Sequence, residues 1–169
     1  MKIKLALPLL LLLLQAHSFA QSDTSLPAKN SIYLEVAGTG GFGSINYERL
    51  VASKNKWQMV LRSGLSTYNL RDFTNTFNPD LVLPMSLLGR YGKNHHFELG
   101  FGHTTTFTVQ TNQSTWKPER TAHLHAHLIV GYRYQKEQGG PMVRLSYTPL
   151  LEFYNHLRHW GGISLGHAF

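Results

Sequence analysis

From Thr121 to Gln135 every second residue is apolar or aromatic. Ala122, Leu124, Ala126, Leu128, Val130, Tyr132 and Tyr134 share one face, backed by His123, His125, His127, Gly131 and Arg133. A period of two is the signature of a strand with one greasy and one polar face. The run is also long. Globular strands average five or six residues, whereas a tilted strand needs about ten to cross a bilayer. Seven further alternating runs accompany it: Ser31 to Ala37, Gly43 to Ala52, Lys56 to Thr67, Leu81 to Tyr91, His96 to Thr108, Met142 to Phe153 and Gly161 to Phe169. No segment after residue 20 carries a convincing helical period. The connections after the second, fourth and sixth runs are short and turn-like, and those after the third and fifth are long and polar. This alternation predicts an all-β chain, an eight-stranded antiparallel up-and-down transmembrane β-barrel.

The first twenty residues have a different character. Lys2 and Lys4 precede an apolar stretch from Leu5 to Leu14, and Ser18-Phe19-Ala20 supplies small residues before a cleavage point at Gln21. This pattern predicts a signal peptide over 1–20 and a single barrel domain over 21–169. The apolar stretch is about half of what a spanning helix needs. The chain has no cysteine, so neither a lipid-modified start nor a disulfide framework is available. Beyond residue 20, fourteen Lys and Arg face nine Asp and Glu, a formal charge of +5. A basic exported protein suits anionic membrane surfaces and lipopolysaccharide phosphates. Nucleic acid is not an expected partner, because the chain is exported and has no arginine-rich stretch.

Alternation alone does not say which face is wet, but volume does. An eight-stranded barrel has an interior just wide enough for side chains or one small ligand. Trp57, Phe97, Phe101, Phe107, Tyr132, Tyr134, Tyr147 and Phe153 all stand on apolar faces and would overfill it. The opposite faces mix Gly and Ser with charges of both signs, which can pair in a narrow, plugged lumen. Aromatic residues also gather at the two ends of the runs: Trp57, Tyr91, Phe97, Tyr132, Tyr134 and Phe169 at the short-turn end, Phe107, Phe153 and Trp160 at the other. Two such belts suit the two interfaces of a bilayer.

With the leader, eight runs and the ending Gly162-Ile163-Ser164-Leu165-Gly166-His167-Ala168-Phe169, the chain resembles the small eight-stranded outer-membrane barrels of Gram-negative bacteria. The resemblance implies an outer-membrane location, outer-membrane lipid and lipopolysaccharide as surroundings, and a monomer. It also implies that the terminal strand ending in Phe169 is read by the barrel-insertion machinery. His167 departs from the usual apolar or tyrosine occupant of its position. The class includes adhesins, evasion factors, small pores and lipid A-modifying enzymes, so fold does not give function.

Three groups of residues are candidates for function. Arg62, Arg90, Glu98, His123, His125, His127, Arg133, Arg144 and Glu152 form the expected lumen polar network. Placing Tyr91 and Phe97 both in lipid sets a 91-to-97 register, which makes Arg90 and Glu98 cross-strand partners around a turn near Lys93-Asn94-His95. The row His123, His125 and His127 is a weak metal candidate, with Glu98 or Glu152 as a third kind of ligand; no complete ligand set is visible, and no cofactor is implied. In the long loops, Tyr68, Arg71, Phe73, Phe77, Trp116 and Arg120 have the aromatic and arginine chemistry of binding hot spots. No catalytic set emerges. Ser63 and His103 should lie at similar height but about 9.6 Å apart, two strand spacings, beyond reach of each other. The expected role is structural or surface-interacting, against three alternatives: a lipid A-modifying hydrolase or acyltransferase, a narrow pore, and a periplasmic lipocalin-like carrier.

Overall fold

The computed structural model describes residues 27–112, 115–151 and 157–169. The strands are β1 (Asn30–Ala37), β2 (Gly43–Lys54), β3 (Trp57–Ser66), β4 (Leu81–Gly92), β5 (His95–Thr111), β6 (Pro118–Gln135), β7 (Gly140–Tyr147), β8 (Leu150–Leu151), β9 (Leu157–Arg158) and β10 (Gly161–Ala168). They form one antiparallel sheet in which consecutive strands pair from β1 through β7, β8 pairs with β6 and β9, and β10 pairs with β7 and β1, so the sheet closes on itself.

Ten strand segments make eight staves. β8 continues the register of β7 against β6: Val130 faces Tyr147, and Ala126 faces Leu151. Pro149 interrupts the ladder because it has no N–H to give, yet its carbonyl still accepts from the Leu128 amide at 3.2 Å. β9 likewise continues β10, since Gly161 faces Tyr147 and Arg158 faces Leu150. The final stave therefore begins at Leu157, inside what the sequence presents as the YNHLRHW connection. Glu152 and Phe153 lie outside the described residues, as do residues 1–26, which include the expected leader.

The three tight turns share one end of the barrel with residues 28–30 and Phe169. Asn55 accepts a left-handed φ of 55° in the first, as Asn tolerates. Gly92 opens the second with φ 143°, where a Cβ would sit 1.9 Å from the carbonyl oxygen of His95. Phe169 exchanges backbone hydrogen bonds with Asn30, at 2.8 and 2.9 Å, and so completes the closing seam. One irregularity is absent from the alternating pattern: Val51 bulges out of the β2–β3 ladder, with Leu50 opposite Val60 and Ala52 opposite Met59.

The wall is inside out relative to a soluble barrel. Leu34, Leu61, Leu99, Phe101, Leu145 and Leu165 are each more than half exposed on the outer surface. Leu124, Leu128 and Val130 point outward with them. The buried side chains are instead dominated by Arg62, Arg133, Arg144, Glu35, Glu48, Glu98 and His127. A lipocalin-like carrier needs the opposite arrangement.

Candidate functional site

The register that turns Tyr91 and Phe97 outward places Arg90 directly opposite Glu98 inside the barrel. Around that pair a five-membered charge cluster fills the lumen toward the turn end. Glu98 meets Arg90 Nε at 2.9 Å, Arg133 Nε at 2.7 Å and Arg144 Nε at 2.8 Å. These three are ion pairs by distance and lack aligned hydrogen-bond geometry. Glu48 binds the same three guanidiniums: Arg90, Arg133 at 2.6 Å and Arg144 at 3.5 Å. Tyr33 completes the cluster. Its hydroxyl donates to Glu48 at 2.6 Å and accepts from Arg144 at 2.9 Å, while Arg62, Arg133 and Arg144 stand 5.5, 5.7 and 5.8 Å from its ring centre. Arg62 pairs separately with Glu35 at 2.5 Å and with Asn46 at 2.9 Å.

Next along the lumen comes an apolar layer that the alternation does not reveal. Val60, Leu88 and Ile129 stand on the inward faces of β3, β4 and β6, packed together and fully buried. Along β4 the inward order is Ser86, Leu88, Arg90, and along β6 it is His127, Ile129, Gly131, Arg133. The five-membered cluster lies on the turn side of this trio, whereas the Arg62–Glu35 pair lies on its loop side, with Arg62 level with Ser86 and Glu35 against the Gly38–Gly40 turn.

Beyond that layer His127 is held by Ser86 Oγ at 2.9 Å on Nε2 and Thr104 Oγ1 at 3.2 Å on Nδ1. A serine hydroxyl against an imidazole is the contact a nucleophile and base would make. Here both are buried in the lumen and the imidazole's second partner is a hydroxyl, not a carboxylate. Thr104 in turn donates to the Thr39 carbonyl at 3.0 Å. Thr39 belongs to the short Gly38–Gly40 turn between β1 and β2, which folds into the lumen and is buried. Gly38, at φ 80°, makes this possible, since a Cβ there would lie 2.4 Å from the Glu35 carboxyl carbon. No lipid substrate reaches the Ser86–His127 pair. Ser63 and His103 flank Met85 in one cross-strand row, so they are two strands apart and do not meet.

The histidine row divides. His127 is locked in the lumen, His125 is half-buried at its mouth, and His123 is exposed beyond, stacked on His125 with ring centres 6.5 Å apart. Among the described residues no group of three or more metal-ligating side chains is close enough to hold an ion. Glu152 lies outside those residues.

The long β3–β4 connection is ordered by its own side chains. Asp72 accepts from the Thr74 hydroxyl at 2.6 Å, the Thr74 amide at 2.9 Å and the Thr76 amide at 3.2 Å. Asn78 adds a bond at 3.3 Å. The Thr74 hydroxyl above all holds the Asp72 carboxyl below its usual range. The Asx-turn is therefore intact at neutral pH, begins to loosen as pH falls below the ordinary carboxylate value of ~4, and is lost through the lower native value. We expect Asp72→Ala to speed protease nicking of this loop at neutral pH roughly fivefold, with the barrel's heat-modifiable gel mobility unchanged. Nicking at the wild-type rate would show that the turn does not order the loop.

The loop candidates separate by environment. Phe73, Phe77 and Trp116 are more than half exposed. Arg71 is engaged within its own loop, bonding Asn75 at 2.9 Å across from Phe77. Arg120 is a clamp: it donates to Asn78 at 2.8 Å and to the Pro79 carbonyl at 3.1 Å, tying the β3–β4 loop to β6. Asp80 ties the same loop to β5, accepting from the Val109 amide at 2.8 Å. Tyr68 packs edge-on against Phe42, and burial, followed by the Asp80 charge, pushes its phenol pKa up. Trp160, which the end-of-run pattern places in the lipid belt, also borders the barrel mouth.

Residues that the sequence reading passed over are Tyr33, Glu35, Asn46, Glu48, Ser86, Thr104 and the apolar trio. All stand on inward parity. Four inward arginines needed more acid than Glu98 and Glu152 could supply, and that imbalance pointed to Glu35 and Glu48.

No protein-family model matches the sequence, and no curated sequence matches it significantly. Among solved structures, the N-terminal β-barrel domain of Pseudomonas aeruginosa OprF superposes with a TM-score of 0.57 at 9% identity, over 84% of this chain and 96% of that one. Yersinia pestis Ail in a phospholipid bilayer nanodisc gives 0.47 at 11% identity, over 84% of this chain and 99% of Ail. Crystalline Ail in complex with the heparin analogue sucrose octasulfate gives 0.45 at 12%, over 85% and 98%. Closed, antiparallel and apolar outside, the chain has the fold of the small eight-stranded outer-membrane β-barrels.

Proposed function

We propose that the protein is an exported, monomeric barrel of the outer membrane of a Gram-negative bacterium, non-conducting, which meets its surroundings through the loop end. Residues 1–20 serve as the export leader, Phe169 marks the last strand for the insertion machinery, and the loop end faces outward among lipopolysaccharide. The observation that carries this reading is an apolar outer wall around a lumen filled by paired charges, a small apolar cluster and an inward-folded turn. Such a filling opposes ion flow, so a pore is the weaker alternative. The separation of Ser63 from His103 and the enclosure of Ser86–His127 oppose a lipid A-modifying enzyme, for which unchanged lipid A in a deletion strain is the expected result. What the loop end offers is exposed rings, Phe73, Phe77 and Trp116, on an ordered framework.

The absence of cysteine gives a direct test. Phe77→Cys should react with a membrane-impermeant maleimide on intact cells, and Lys93→Cys in the β4–β5 turn only after the outer membrane is permeabilised. Labelling of Lys93→Cys first, or recovery of the protein in the soluble periplasmic fraction, would overturn the reading.

A further inference from the structure

The outer wall is dented on one side. Ala52, Met59, Gly89, Leu99 and Val130 form one outward row across β2 to β6, and Ala52 and Gly89 add little bulk to it. A groove of about 580 Å³ follows this row, with Lys54 and Trp57 at its turn-side edge. The row continues to Tyr147, the loop-side end of β7, so the groove climbs from the turn end into the middle of the wall. Packing does not demand the glycine. A Cβ at Gly89 would meet nothing nearer than the Leu99 carbonyl oxygen, at 3.7 Å, an ordinary contact. Glycine inside a strand gives up stability and often marks the close approach of a ligand.

The bulge at Val51 brings charge to this groove. Unbroken alternation from Arg49 would turn Lys54 into the lumen. The extra residue instead sets Lys54 opposite Trp57, on the outer wall. Lys56 follows in the tight turn, exposed, and lines a neighbouring hollow with Tyr91 and Phe97. Neither lysine has an ion-pair partner among the described residues. Arg49, outward opposite Leu61, adds a third cation to β2. Trp57 packs on Tyr91 with ring centres 4.9 Å apart, and such rings settle at the level of lipid headgroups.

We propose that this edge seats one anionic phospholipid of the turn-side leaflet, its phosphate held by Lys54 and Lys56 and one acyl chain laid over Gly89. The inference rests on the membrane reading above. Charge selects the phosphate and the groove selects the chain, and a lipid carries both in one molecule. A zwitterionic headgroup offers the same phosphate but brings its own cation against the lysines. Lipopolysaccharide, at the loop end in that reading, is out of reach.

Trp57 is the reporter. With Trp116→Phe and Trp160→Phe it is the only indole left, and bromine on a lipid chain quenches it on contact. In phosphatidylcholine vesicles, chain-brominated phosphatidylglycerol should quench Trp57 as if enriched about fivefold over brominated phosphatidylcholine, the pull of roughly one lysine at a membrane surface. Lys54→Gln combined with Lys56→Gln should cut that preference below about twofold. Gly89→Leu keeps both lysines, fills the dent and should cut it by about half, because a headgroup without a seated chain exchanges freely. Lys136→Gln, in the β6–β7 turn four staves away, should leave it unchanged. Heat-modifiable mobility checks folding, and if the double-Phe background fails to fold, the difference between the unaltered chain and Trp57→Phe reads the same quenching. Equal quenching by both headgroups, a preference that survives the lysine pair or Gly89→Leu, or one that falls as much with Lys136→Gln would overturn the site and leave the membrane reading standing. Quenching by neither lipid would place Trp57 in water and overturn both.

Discussion

Replacing Glu48 by Gln should cost the barrel about 3–5 kcal/mol, the usual loss when one partner of a buried ion pair is removed. Glu48 and Glu98 together hold Arg90, Arg133 and Arg144, each arginine touching both carboxylates. All five side chains are almost completely removed from solvent. Gln keeps the volume and one acceptor but removes a full charge, leaving three guanidiniums around one carboxylate in an interior that cannot expand. The bond from the Tyr33 hydroxyl survives in reduced form, so the loss is electrostatic more than geometric. The measurement is equilibrium urea unfolding in phospholipid vesicles, with Lys93→Gln in the exposed β4–β5 turn as a control expected to stay within about 0.5 kcal/mol. A Glu48→Gln loss as small as the control's would mean that water, and not Glu48, compensates the arginines.

That cluster shows what the sequence carried and what it did not. Parity along each run was enough to separate the inward arginines from the outward aromatics, because a side chain in a strand has only two directions to point. It also required a turn of odd length, which leaves Tyr91 and Phe97 both outward, and the structure meets that requirement with Arg90 opposite Glu98. Parity could not say that Val60, Leu88 and Ile129 face inward as a group. Each looks like an isolated exception within its own run, and it takes the strand register, with Val60 opposite Leu88 and only Gly100 between Leu88 and Ile129, to bring the three together. Nor could it foresee the Gly38–Gly40 turn folding into the lumen, because a short glycine-rich connection is equally compatible with a loop that stays outside. The same limit applies to the loops. Arginine beside aromatics suggested a binding face, whereas Arg120 is spent on holding the β3–β4 loop to β6, a long-range contact between Arg120 and Asn78 that local composition does not encode.

The direction of the greasy face admits a sharper test than any lumen variant. Leu99 stands in the turn-side half of β5, one outward position in from Phe97 and more than half exposed, with Gly89 and Val130 beside it. If hydrocarbon covers it, Leu99→Arg should destabilise the folded barrel in vesicles by about 1–3 kcal/mol, between the small cost of arginine at the interfaces and the about 2–4 kcal/mol it costs at the midplane of a barrel's lipid face. If water covered it, the same change would fall within about 0.5 kcal/mol, as surface substitutions do. Phe77→Arg in the β3–β4 loop supplies the comparison, since Phe77 is equally open but lies beyond the wall and should show the smaller figure. The contrast between the two positions matters more than either alone, because both trade an exposed apolar side chain for the same cation and differ only in the medium that receives it. A penalty at Leu99 that shrinks toward the strand ends, for instance at Phe97, would trace the depth of the bilayer along β5. Equal small effects at Leu99 and Phe77 would place the outer wall in water and reverse the reading of the whole barrel.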